Sequence, residues 1–334
     1  MKYFHKENPA LQAAIDRFFA ELGIYNETYC GGSLSVILLG SLSRGEATWI
    51  ETDSGISMIS DIEFFTVYDQ GFTGFAEFDK AIKAVAKRVF ADQSSVLFHI
   101  DNTYVCRQRL GNMERKLLTY DAKQMGKTVV GRDDICLLPQ INLDNINLWD
   151  IKDILTHRMF SVLYYGLPLK SRGELTQYRY SLAKNSLDLM TVLLCQHHRM
   201  ASGFINRLEL VKQLPVNDSM KEYFSYCLSI KLCEDHGKTF TIREMEETFL
   251  SLVKTLRKEF RVPLKNTLAN AKHVLRRLLG IAKRGIKYKH FPRPGHLKVL
   301  ITRFEQKTAL TDQDLKNNLV LNGYPLNEQE GRVI

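Results

Sequence analysis

Residues 34–46 read LSVILLGSLSRGE, and residues 60–69 read SDIEFFTVYD. The first run is apolar and rich in Val and Ile over 34–39, the pattern of a buried strand. It stops at Gly40-Ser41. A glycine there lets the backbone turn sharply and leaves room for a bulky group. Ser41 brings a hydroxyl and a backbone N–H, and Arg44, three residues on, has the fork geometry that suits phosphate oxygens. If 42–47 begin a helical turn, its free N–H groups also face an anion.

The second run predicts a strand over 61–67. Side chains alternate along a strand, so Asp61, Glu63 and Phe65 share one face and Ile62, Phe64 and Thr66 the other. Two carboxylates on one face repel each other and are costly to bury. A hard divalent cation between them removes both problems, and Mg²⁺ typically uses one or two carboxylates together with substrate phosphates. A glycine turn that grips a polyphosphate, followed by such a pair, suits metal-assisted nucleotidyl transfer.

Gly40-Ser41 with Arg44-Gly45-Glu46, followed by Ser60-Asp61-Ile62-Glu63, resembles the signature of the DNA polymerase beta-like nucleotidyltransferase superfamily. The likeness is to bacterial members with an Asp-x-Glu pair and a helical C-terminal half, such as aminoglycoside nucleotidyltransferases, and it spans roughly residues 30–135. It implies an α+β chain, with a polymerase-beta-like domain over 1–140 and an all-helical domain over 149–334. It also implies that Ser41, with Gly40 and Arg44, binds the phosphates of a nucleoside triphosphate. Asp61 and Glu63 would hold Mg²⁺, two ions being the family expectation. The insert over 47–59 is longer than in compact members and reads as a lid or acceptor loop.

A third acid belongs to such a centre. The next strand expected, over 95–105, places Leu97, His99 and Asp101 on one face, which makes Asp101 the candidate third metal ligand. By the resemblance it is also the general base toward an attacking hydroxyl. His99 reads as its structural neighbour, and Asp92 falls at a helix end. Capping a turn with Asn102 is the other reading of Asp101.

The remaining sequence bounds the partners. In 334 residues with 45% apolar and 25% charged side chains, two globular domains are expected. Six cysteines lie scattered without a Cys-x-x-Cys pair, which argues for reduced thiols and against a zinc site. The N-terminus lacks the apolar core of a secretory signal, and the chain has no run of transmembrane length. A cytoplasmic protein is expected, with a basic segment as its route to a membrane surface. The net charge is +9, and residues 260–304 hold twelve Lys or Arg and no acid. Such a stretch fits an anionic partner: nucleic acid, lipid headgroups or an acidic glycan. Residues 281–296 interleave basic side chains with Tyr288, Phe291 and two prolines, reading as extended.

Helices are expected over 9–22, 75–89 and 117–125, then a succession of helices beyond Trp149. On one of these, Lys184 shares a face with Tyr180 and is the candidate cation for a triphosphate. Two classes of function fit. One is an enzyme joining a nucleoside monophosphate to a hydroxyl acceptor, whether small molecule, glycan precursor or protein. The other is an inactive nucleotidyltransferase fold that holds RNA, membrane or polyanionic glycan through its basic C-terminal region.

Overall fold

The computed structural model describes residues 1–52, 55–91, 98–143, 146, 148–166, 172–259 and 296–306. Helix α1 (Pro9–Cys30) begins as the sequence dictates. The Asn8 side chain accepts from Leu11 N at 3.1 Å, and Pro9 occupies the first helical position. The helix runs through Gly23, where it had been expected to stop. Gly23 lies close to Val130, 3.9 Å from a notional Cβ, and α1 ends only at Gly31 in the left-handed conformation. Near that end, Asn26 exchanges hydrogen bonds with the backbone of Leu34, tying the helix to the first strand.

The architecture is α+β, as expected. The strands of the main sheet are β1 (Leu34–Leu38), β4 (Ile62–Tyr68), β5 (Ile100–Cys106) and β6 (Lys127–Val130), in the order β5-β4-β1-β6. β1 runs antiparallel to both of its neighbours, while β4 and β5 are parallel, joined through α3 (Phe75–Val89). A helical crossover is what a parallel pair requires. One face of the sheet packs Leu34, Val36, Leu38, Ile62 and Phe64 against Phe18, Leu22 and Phe78 of α1 and α3. The other packs Ile37, Leu39, Phe65 and Val67 against Leu110 and against Ala122 of α4 (Leu117–Met125). This alternation is the one read from the sequence.

The insert over 47–59 is a hairpin of β2 (Trp49–Thr52) and β3 (Gly55–Met58), separate from the main sheet. Trp49 anchors it by donating from Nε1 to Lys6 O at 3.2 Å, with Lys6 Nζ over the indole ring. The short helix α2 (Gly40–Arg44) lies between β1 and this hairpin in the chain.

After Leu148 the described regular elements are helices: α5 (Leu148–Gly166), α6 (Arg172–Gln196), α7 (Phe204–Lys212), α8 (Asp218–Leu232), α9 (Ile242–Glu259) and α10 (His296–Glu305). Thr241 and Glu244 form the capping box expected at the start of α9. The helix α10 was not foreseen; residues up to 296 read as extended and a helix only after 307. Its Leu300, Ile301 and Phe304 are buried, with Phe304 against Phe249 of α9, so an apolar face outweighs the neighbouring prolines. The helix expected over 268–279 and most of the basic stretch 260–304 lie outside the described residues.

Two compact units divide the chain. One is Met1–Asn147 with His197–Thr239, and the other is Leu148–Gln196 with the described part of Phe240–Ile334. Domains over 1–140 and 149–334 were expected; the contacts instead group α7 and α8 with the sheet. The reason is polar. Arg207 of α7 donates to Asp121 of α4 at 2.7 Å, and Lys231 of α8 reaches Thr48 and Ser60. In the second unit, Tyr178 of α6 donates to Glu246 of α9 at 2.7 Å, and Arg158 of α5 pairs with Asp188 of α6. Among the described residues, no helix is long and apolar enough to cross a membrane.

Candidate functional site

The site is assembled at the end of the sheet where β1 leaves and β4 enters. Leu39 donates its backbone N–H to Glu63 O at 2.8 Å, so the strand that ends in Gly40 runs beside the strand that starts after Asp61. Gly40 turns the chain at φ +64°, in the left-handed region that glycine adopts without strain. A Cβ placed there would overlap Oε2 of Glu63 and lie 3.1 Å from its Cδ. The glycine turn and the acid-bearing strand are therefore in direct contact. Gly45 closes the α2 turn in the same left-handed region, and the Ser43 hydroxyl donates to Gly40 O at 3.0 Å.

Two of the acids fall opposite one another as the alternation requires. Glu63 is in register with Asp101 on the neighbouring parallel strand, so their Cα atoms are about 4.8 Å apart. Both belong to the face that carries Phe65, Val67 and Val105, and Asp61, two residues before Glu63, continues the same alternation. Asp101 is exposed on the edge strand, and Asp61, Glu63, Gly40 and Ser41 are half-buried. Asp101 is thus open to solvent, whereas one carboxylate oxygen of Asp61 is covered. His99 is exposed and engages the site through its backbone, its carbonyl accepting from Ile62 N at 2.9 Å. Asp92 lies outside the described residues.

Arg44, the expected phosphate partner, is engaged by carboxylates of the protein itself. Its side chain is 8% exposed and committed to two carboxylates, Glu46 at 2.9 Å and Asp121 at 3.6 Å, with the guanidinium over the Phe204 ring. Burial by itself disfavours its charge. The fields of Asp121 and Glu46, with Glu63 behind them, outweigh burial and push its pKa above the ordinary arginine value. Two carboxylates in a dry site satisfy the fork that was expected to wait for a ligand. The same cluster includes Arg207 of α7, which donates to both oxygens of Asp121. Glu46 also accepts from Ile205 N at 3.1 Å at the start of α7. Lys184, half-buried on α6, stands in the second unit.

The donor set fits Mg²⁺ in the way that ion is usually held. All three acids offer hard oxygen ligands, and the Glu63 carboxylate lies directly against the glycine turn. Among the described residues, no three His, Cys, Asp or Glu side chains close into a metal cage. An open pair of carboxylates that shares its ion with substrate phosphates is the arrangement expected for Mg²⁺. A cavity of about 550 Å³ in the same unit is lined by Tyr120, Asn142, His198 and Arg199, among others, and by none of the three acids.

Sequence reasoning passed over Lys231, Asp121 and Arg207. Lys231 left a signal: it follows Phe224, Cys227 and Leu228 at helical spacing, a lysine on the buried stripe of α8. Asp121 and Arg207 left none, because each reads as an ordinary surface charge on its own helix.

No family model matches the chain, and no curated protein matches it either. One solved structure that resembles it is spectinomycin adenyltransferase AAD(9) from Enterococcus faecialis, with ATP and spectinomycin. The overlay has a TM-score of 0.46 at 15% identity and covers 74% of this chain and 99% of that one. At that distance the likeness does not bear on what this chain does.

Proposed function

We propose that the chain is a nucleotidyltransferase that moves a nucleoside monophosphate from a nucleoside triphosphate to a hydroxyl acceptor and releases pyrophosphate. The observation that carries this reading is the contact between the Gly40 turn and Glu63, together with the register of Glu63 against Asp101. Gly40 and Ser41 receive the polyphosphate, the glycine allowing the sharp turn and the Ser41 hydroxyl and N–H donating to it. Asp61 and Glu63 would hold Mg²⁺, with Asp101 the candidate third ligand beside them, and the ion would supply charge neutralisation to the phosphates and the developing transition state. Asp101 takes the proton of the acceptor hydroxyl as that oxygen attacks the α-phosphorus and the bond to the bridging oxygen of pyrophosphate breaks. Its exposed position on the edge strand suits a group that must meet an incoming acceptor. Arg44 acts by fixing the turn through Glu46 and Asp121.

The test is Mg²⁺-dependent pyrophosphate release by the purified chain, with four nucleoside triphosphates and pools of small hydroxyl compounds, glycan precursors and proteins. Turnover that disappears in Asp61→Asn is the expected result. A wild-type chain that binds no nucleoside triphosphate in the presence of Mg²⁺ overturns the reading. Retained polyanion binding through the basic residues of 260–304, with no turnover, would identify the binding module instead.

A further inference from the structure

Lys231 is 1% exposed, and its ammonium sits among hydroxyls. Nζ donates to Ser60 Oγ at 2.9 Å and to Thr48 Oγ1 at 3.1 Å. Thr48 answers by donating its own hydroxyl to Lys231 O at 2.6 Å. Thr48 and Ser60 in turn clasp each other. Thr48 N donates to Ser60 Oγ at 2.8 Å, and Ser60 N donates to Thr48 O at 3.3 Å. These two residues close the base of the β2–β3 hairpin, and both are buried to within 1%. Ser60 is the residue immediately before Asp61. The pin from α8 thus ends one residue from the first acid of the site.

A lysine is an expensive way to fill such a place. Burying an ammonium costs several kcal/mol before its partners offset it, and an apolar side chain of similar volume is often as stable or more so. What the cation adds is direction. A charged donor fixes Ser60 Oγ more tightly than a neutral contact would.

We propose that Lys231 is a positioning residue for the acidic strand, holding Ser60 and the hairpin base so that Asp61 is presented beside Glu63 for the metal–nucleotide complex. The inference rests on the nucleotidyltransferase reading and adds to it a residue more than 160 positions away in sequence. Groups that orient metal-binding carboxylates from behind typically change metal affinity 10- to 100-fold when removed.

The experiment measures binding of methylene-bridged, non-hydrolysable analogues of the four nucleoside triphosphates to the full chain while Mg²⁺ is titrated. Lys231→Met is expected to raise the Mg²⁺ concentration at half-binding about 10-fold or more. Analogue binding without metal, and the circular dichroism spectrum, stay at wild-type values. Ser60→Ala, a smaller change that remains folded should Lys231→Met not, is expected to move the Mg²⁺ midpoint in the same direction. In the double variant the effects do not add, because both act through one contact. A folded Lys231→Met or Ser60→Ala chain with the wild-type Mg²⁺ midpoint overturns the proposal and leaves the nucleotidyltransferase reading standing. A wild-type chain that binds none of the analogues with Mg²⁺ overturns both.

Discussion

Gly40 has no room for a side chain because Glu63 occupies the place where one would stand. The two residues are brought together by the antiparallel register of β1 and β4, in which Leu38 faces Phe64. The backbone at φ +64° adds a second reason for glycine. Gly40→Ala therefore carries the left-handed penalty of about 1–2 kcal/mol and also drives the Glu63 carboxylate out of its position. The expected outcome is a folded chain with a melting temperature lowered by a few degrees and Mg²⁺-dependent nucleotide binding lost. Thermal melts and an equilibrium binding assay on one preparation check both. A Gly40→Ala chain that binds like wild type would remove the turn from the site.

The Arg44–Glu46–Asp121–Arg207 cluster predicts a large effect on stability. All four side chains are at most 14% exposed, and each acid faces at least one guanidinium. Deleting one partner leaves the others buried and unbalanced, which costs about 3–5 kcal/mol. Asp121→Ala, which strips a partner from both arginines, should lower the urea midpoint accordingly. Lys212→Ala, at the exposed pair with Glu209, should leave it unchanged. Equal midpoints for Asp121→Ala and Lys212→Ala would mean that the cluster is not the anchor described.

Much of this was legible in the sequence where a local rule decides it. Alternation placed Ile62 and Phe64 on one face and Glu63 and Phe65 on the other, and the structure keeps that division. The bounds of α3 and α4 follow from helical spacing and, for α4, from Gly126. Gly23 misled because a glycine inside a helix that passes close to Val130 looks, in one dimension, like a stop signal. The roles of Arg44, Asp121 and Lys231 were illegible for a different reason. Each depends on a partner brought in by tertiary packing, and a charged residue in sequence does not announce whether its counterpart will be water or a buried acid. The adjacency of Gly40 and Glu63 needed two strands to pair, and their pairing was legible only through the chemistry they would share.

A buried and a half-buried tyrosine predict sensitivity to alkali. Tyr3 donates its hydroxyl to Asp16 at 2.8 Å, and Tyr104 donates to Asp79 at 2.7 Å. Burial, and then the hydrogen bond to a carboxylate, raise the pKa of both phenols well above the ordinary value. The folded state therefore favours the protonated phenol. The stability this contributes is fully present below the unfolded tyrosine pKa of about 10 and is lost as pH rises beyond it. Phenolate absorbance should show these two rings titrating only as the chain unfolds. In Tyr3→Phe with Tyr104→Phe, the fall in melting temperature above pH 10 should be shallower. An unchanged slope would show that neither phenol is held as described.

Asp61 and Asp101 should separate when each is made neutral, because the proposed chemistry uses them differently. Asp61 directly precedes β4 beside the Gly40 turn, whereas Asp101 is exposed on the edge strand, opposite Glu63. A ligand needed to hold metal and triphosphate together affects binding. A base that accepts the acceptor's proton affects the bond-making step. Asp61→Asn should abolish Mg²⁺-dependent binding of a non-hydrolysable triphosphate. Asp101→Asn should retain most of that binding and lose turnover by about 10²- to 10⁴-fold, the usual worth of a positioned general base. Binding and turnover measured on both variants give the split directly. If Asp101→Asn loses metal-dependent binding as fully as Asp61→Asn, Asp101 serves mainly as a ligand, and the base must be sought elsewhere. If Asp101→Asn turns over normally, the edge-strand acid has no part in the reaction, and the Asp61–Glu63 pair beside the glycine turn must suffice.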